Sequence, residues 1–137
     1  MSDPRVVLDA SAVLAWLFKE RGAETIQQLL PHAVVPAPNL TESLYRAVQK
    51  GHGMASSDIV ASLTALGVRI EPLTADDVIR SAELIAASRQ KRPGNGGTLS
   101  LGDGCCIAVA ERLGLTISGG DTAWEQLDLA VPFLPFR

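Results

Sequence analysis

Apolar and polar positions in this chain come in short blocks whose period switches repeatedly between strand-like and helix-like. Val6 to Leu8 is a β-branched run that ends at Asp9, and Ala10 to Phe18 follows with almost no polar face, which predicts a buried strand, an acid and a buried helix. Ala23 to Leu30 reads as a helix stopped by Pro31, and Ala33 to Val35 as a second strand closed by Pro36 and Pro38. Asn39 is expected to cap a helix over Leu40 to Lys50, where Leu40, Leu44, Ala47 and Val48 recur at helical spacing until Gly51 and Gly53. Ser57 to Leu66 predicts a helix broken by Gly67, and Val68 to Ile70 a strand. Thr74 then caps a long helix from Ala75 to about Arg89. Beyond a basic, Gly-rich loop from Lys91 to Thr98, the pattern predicts a helix over Ser100 to Leu113 and a strand over Thr116 to Ser118. Asp121 opens a short helix containing Trp124, and Val131 to Leu134 is the last strand.

Short apolar strands alternating with helices require right-handed crossovers and a sheet covered on both faces. The expected fold is therefore α/β, a three-layer α/β/α sandwich around a mostly parallel sheet, forming one domain over residues 1–137. The chain has 137 residues, long enough to fold on apolar burial without disulfides or a structural metal. Cys105 and Cys106 are adjacent, and with His32 and His52 the only histidines no zinc-ligand spacing exists, so both thiols read as small buried hydrophobes. Trp16 and Trp124 are assigned to the core.

Twelve Lys plus Arg against fifteen Asp plus Glu give a net charge of −3, which excludes a broad basic footprint for nucleic acid. Contact with a polyanion must then be local or assisted by a metal. The longest apolar run, Ala12 to Phe18, is far short of the roughly 20 residues that span a bilayer, so no membrane segment is expected. Asp3 and Asp9 interrupt any secretory signal, and a cytoplasmic protein is expected.

In parallel α/β sheets ligands bind outside the carboxyl ends of the strands, so the residues directly after strands carry the chemistry. Asp9 follows the first strand, Glu42 lies one turn past the loop after the second, and Asp121 ends the Gly119-Gly120 turn after Thr116 to Ser118. Asp103 is a fourth acid, set on the apolar face of its helix because Cys106, Ile107 and Ala110 lie at i+3, i+4 and i+7. Several carboxylates gathered without a sequence-adjacent cation call for a hard divalent ion, Mg²⁺ or Mn²⁺. Each acid also has a structural alternative. Asn39 to Glu42 fits a capping box and Glu42 an ion pair with Arg46; Asp103 stands three residues after Ser100; Asp121 fits a helix N-cap. Asp9, between a buried strand and an apolar helix, is the acid least explained by structure alone, whereas Asp76 and Asp77 show nothing beyond capping. Arg46 and Lys50 extend the face beyond Glu42 toward a polyanion, and Lys91 and Arg92 flank the Gly-rich loop as further phosphate contacts.

Taken in order, Val6-Val-Leu-Asp9-Ala-Ser11-Ala, Asn39-Leu-Thr-Glu42, Leu99-Ser-Leu-Gly-Asp103 and Gly120-Asp121-Thr-Ala-Trp124 make a pattern that resembles the PIN-domain ribonucleases. More narrowly, length and the Leu-Ser-Leu-Gly-Asp phrase are similar to the VapC-type toxins of bacterial toxin–antitoxin pairs. The resemblance implies that Asp9, Glu42, Asp103 and Asp121 form an acidic pocket holding Mg²⁺ or Mn²⁺ for RNA cleavage, with Ser11 supporting by hydrogen bonding and Asn39 as a further supporting residue. It also implies an RNA substrate, a small cognate antitoxin and a homodimer. Two departures stand out: Gly104 replaces the Arg that commonly follows the third acid, and Gly-Gly precedes Asp121 where Thr-Ala is frequent. Two rival readings remain at this stage. Asp9-Ala-Ser11-Ala-Val13 with Gly120-Asp121 faintly resembles haloacid-dehalogenase phosphohydrolases, although the second acid of that motif is Ser11 here. The other is a non-catalytic module that docks protein or RNA, with every acid a cap or a pair.

Overall fold

The computed structural model describes residues 3–90, 98–120, 124, 127 and 129–137. β1 (Val6–Leu8), β2 (Ala33–Pro36), β3 (Arg69–Glu71), β4 (Thr116–Gly119) and β5 (Phe133–Pro135) form one sheet in the order β3-β2-β1-β4-β5. Every neighbouring pair is parallel, with Val7 opposite Val34 on one side and Ile117 on the other. The intervening helices are α1 (Ala10–Leu17), α2 (Ala23–Leu29), α3 (Ala37–Gln49), α4 (Ser56–Ala65), α5 (Ala75–Gln90) and α6 (Leu101–Leu113).

Strand alternation assigns each helix to a layer. Val6 and Leu8 point into a core shared with Val13 of α1, Ile26 of α2, Leu40 of α3 and Ile59 of α4. Val7, Val34 and Ile117 face the opposite way and pack against Ile107 and Ala110 of α6, with Leu84 and Ile85 of α5 at the margin. The three layers expected from the sequence are therefore present. Trp124 is almost fully buried in the second core, and both cysteines are buried and free.

Local chemistry shifts several boundaries. Pro31 does not end the chain's helical path: a 3₁₀ turn runs through it from Leu30 to His32. Asn39 is not a cap. Helix α3 starts three residues earlier than expected, at Ala37 with Pro36 at the N-cap position, because the first helical turn has no intrahelical use for N–H groups and so accepts Pro38. The capping box expected from Asn39 to Glu42 does not form, since both residues lie inside the helix. The last strand begins at Phe133, two residues later than the pattern predicts.

Asp77 does more than cap. Thr74 and Asp77 exchange hydrogen bonds of 3.0 and 3.1 Å, the reciprocal arrangement that satisfies two orphan donors at the start of α5. Arg112 of α6 also donates to both Asp77 carboxylate oxygens at 3.0 Å and reaches Glu71 of β3 at 3.1 Å. Burial acts to raise the Asp77 carboxyl pKa, but the hydrogen bonds from Arg112 and Thr74 prevail and hold it below its ordinary value. Among the described residues, no helix is long and apolar enough to cross a membrane.

Candidate active site

The strand order reverses between β1 and β4, and at that point the two crossovers leave opposite faces of the sheet, opening a crevice beyond the carboxyl ends of the strands. Asp9 stands in it. As N-cap of α1 it accepts the Ala12 N–H at 2.9 Å, and the Ser11 hydroxyl donates to the same Oδ1 at 2.7 Å. Ser11 Oγ in turn accepts the Gly120 N–H at 3.0 Å, which ties the ends of β1 and β4 together. The other oxygen, Oδ2, lies against Gly119, where a Cβ would come within 2.6 Å. Any larger residue there would displace the carboxylate.

Glu42 and Asp103 come to the same crevice from opposite layers. Asp103 and Ser100 form a capping box at the start of α6, with hydrogen bonds of 3.0 and 3.1 Å. Glu42 pairs with Arg46 one turn along α3 at 2.7 Å. Asn39, buried beside them, donates through Nδ2 to the Gly102 carbonyl at 3.1 Å and so pins α3 to α6. Its Oδ1 is buried with no hydrogen-bond partner among the described residues. Gly102 makes the approach possible, because a Cβ there would lie 2.8 Å from Glu42 Oε1.

The acids feel one another. Burial pushes the Asp9 carboxyl up to about 6 from an ordinary 3.8; the charges of Asp103 and Glu42 add to the rise, and the hydrogen bonds from Ser11 and Ala12 oppose it. Cys106, buried beneath, has its thiol pKa raised by burial and further by the charges of Asp9 and Asp103, which keeps it protonated. The resulting cleft of about 660 Å³ is lined by Asp9, Ser11, Asn39, Glu42 and Asp103, and by Arg46 and Lys50. Asp121, Lys91 and Arg92 lie outside the described residues.

Two lining residues escaped the sequence reading: Glu20, in the turn after α1, and Arg137, just beyond β5. Glu20 lies 3.7 Å from Lys50 and 3.8 Å from Arg137 through its two oxygens. The Arg137 guanidinium sits over the Phe136 ring at 5.0 Å and against Gly120, where a Cβ would meet its Nη2 at 2.8 Å. The parallel register was the available signal. Gly119 is opposite Pro135, so residues following β5 emerge at the same edge as Gly120.

The donor set suits a hard divalent cation: carboxylates, an amide oxygen without a partner, and a buried acid whose ionisation its neighbours oppose. Among the described residues, no three His, Cys, Asp or Glu side chains form a ready-made metal cage.

Comparison with known proteins gives a consistent result. The PIN domain family model matches residues 6–129. The fold is similar to the VapC20 toxin of Mycobacterium tuberculosis, described as cleaving the sarcin-ricin loop, at 17% identity and TM-score 0.70 over 91% of this chain and 96% of that one. A toxin–antitoxin complex from Klebsiella pneumoniae aligns at 14% identity and TM-score 0.71, covering 96% and 98% of the two chains. DNA-bound VapBC from Salmonella typhimurium aligns at 14% and 0.69, covering 98% and 99%. No curated protein matches the sequence significantly.

Proposed function

Since the chain belongs to the PIN domain family, we propose that it is a metal-dependent endoribonuclease, the toxin of a toxin–antitoxin pair, acting in the cytoplasm on RNA phosphodiester bonds. The observation that carries this reading is the convergence of Asp9, Glu42 and Asp103 at the switch point of the sheet, close enough that two of them raise the proton affinity of the third. Asp9, Glu42 and Asp103, joined by Asp121, would hold Mg²⁺ or Mn²⁺. Such an ion supplies charge neutralisation at the phosphodiester and a lowered pKa for water. The chain's own residues do the rest. Ser11 orients Asp9, Asn39 fixes the spacing of α3 and α6, and Arg46 and Lys50, with Lys91 and Arg92, contact backbone phosphates.

A small antitoxin is the expected protein partner, supported by the toxin–antitoxin complexes among the structural relatives. A second copy of the chain is also expected, supported by Tyr45 and Val48, exposed at i and i+3 on α3, and Leu101, exposed at the start of the adjoining α6.

One observation favours the rival binding module: Asp9 and Asp103 both cap helices and so have structural roles. Total RNA treated with purified protein in Mg²⁺ or Mn²⁺, and in chelator, separates the two. The nuclease yields discrete fragments with metal only, and D9N, which keeps the cap acceptor, loses at least about 100-fold in rate. Equal cleavage by D9N, or none by the wild type in either metal, would remove the enzymatic reading.

A further inference from the structure

Among the described residues, a phosphodiester entering this cleft meets four acids, Asp9, Glu20, Glu42 and Asp103, and three cations, Arg46, Lys50 and Arg137. The cations differ in how firmly they are held. Arg46 is engaged by Glu42 at 2.7 Å, a charge-assisted hydrogen-bond length. Lys50 and Arg137 share the single carboxylate of Glu20 at 3.7 and 3.8 Å, beyond hydrogen-bonding distance. Around Glu20 two positive charges thus face one negative, and neither is locked by a short bond.

Arg137 is also aimed. Its guanidinium rests on Phe136, which is itself buried, and lies against Gly120. From Gly120 a hydrogen-bond chain runs through Ser11 Oγ to Asp9 Oδ1, with steps of 3.0 and 2.7 Å. The guanidinium therefore lies beside the backbone that is tied through Ser11 to the carboxylate at the centre of the site. A planar five-donor fork in this position matches the oxygens of a phosphate.

We propose that Arg137 is a substrate-binding residue of this site, a guanidinium that grips an RNA backbone phosphate at the cleft edge while Glu20 and Phe136 hold it in place. The assignment rests on the RNA-cleaving reading above and adds a guanidinium to the phosphate contacts named there.

The test titrates D9N, which keeps the fold without cutting, with end-labelled mixed-sequence single-stranded RNA in Mg²⁺, read by fluorescence anisotropy between about 50 and 200 mM salt. Adding R137A should weaken binding about fivefold near 0.1 M salt and reduce the slope of log K against log salt by about 0.7, the signature of one lost phosphate contact on a single strand. Adding R137K instead should restore the slope and part of the affinity. A merely structural Arg137 would lower the melting temperature and leave the salt slope alone, which would overturn the assignment. So would an unchanged affinity and slope in a D9N protein that does bind RNA, an outcome that leaves the nuclease reading standing. If neither D9N nor wild-type protein, the latter with Ca²⁺ in place of Mg²⁺, binds RNA at the lowest salt, the RNA reading fails and Arg137 falls with it.

Discussion

Asp9 is held by two hydrogen bonds that favour its charge and by a burial that opposes it, and burial prevails. Its pKa of about 6 in the folded chain, against an ordinary 3.8, means that the native state binds a proton more tightly than the unfolded state between those values. Without metal, stability should therefore fall as pH rises from 4 through 6 and stay low above. The penalty corresponds to about 3 kcal/mol as an order of magnitude. D9N has no charge to bury, so in chelator at pH 8 it should be more stable than wild type by roughly 1–3 kcal/mol, and the gap should close at pH 4. Urea midpoints at the two pH values check this; an equal gap at both would contradict it. The candidacy of Asp9 was readable from the sequence because a carboxylate between a buried strand and an apolar helix has nowhere solvated to go. Asn39 was misread for the opposite reason. Nothing local distinguishes an asparagine that caps a helix from one that lies inside its first turn and reaches 63 residues along the chain to Gly102.

At the level of elements, patterning located the strands and helices because each has one apolar face and one period, and errors fell where the period is silent. Prolines at 36 and 38 signalled an interruption, whereas α3 uses one as its N-cap and accommodates the other in its first turn. The start of β5 slipped by two residues, and with it went the cue that Arg137 leaves the sheet beside Gly120. Long-range ion pairs were equally hidden. Arg112 joins α6 to α5 and β3 through Asp77 and Glu71, and sequence spacing says nothing about residues 35 and 41 apart. Because Asp77 is buried, R112A leaves its charge uncompensated and should cost about 2–3 kcal/mol, measured by urea unfolding at pH 7. The Asp77 pKa is depressed, so its contribution is present above the unfolded value and is lost as pH falls through the lower folded one. R112A should therefore narrow toward wild type in strong acid; the wild type loses stability from Asp77 on acidification, whereas it regains stability from Asp9. A cost that grows on acidification would contradict the pairing.

Across the whole molecule the two trends meet in one electrostatic design. The chain carries a net charge of −3 and concentrates acids at the switch point, where folding alone leaves Asp9 destabilised at neutral pH. A cation bound there relieves the same repulsion that D9N removes, so the two should not add. Binding to the native state alone stabilises by about 2.7 kcal/mol at a concentration 100 times the dissociation constant. Mg²⁺ or Mn²⁺ at pH 8 should therefore raise the melting temperature of wild type by several degrees and of D9N by almost nothing. Protons compete for the same carboxylate, so the metal-induced rise should shrink as pH drops through 6, whereas a rise caused by general ionic screening would persist in D9N and at low pH alike. Thermal melts of both proteins, with metal and with chelator at pH 8 and pH 5, distinguish these outcomes. A metal shift of equal size in D9N would mean that the acids at the end of β1 and at the starts of α3 and α6 are caps and pairs of the scaffold, and that the ion binds elsewhere.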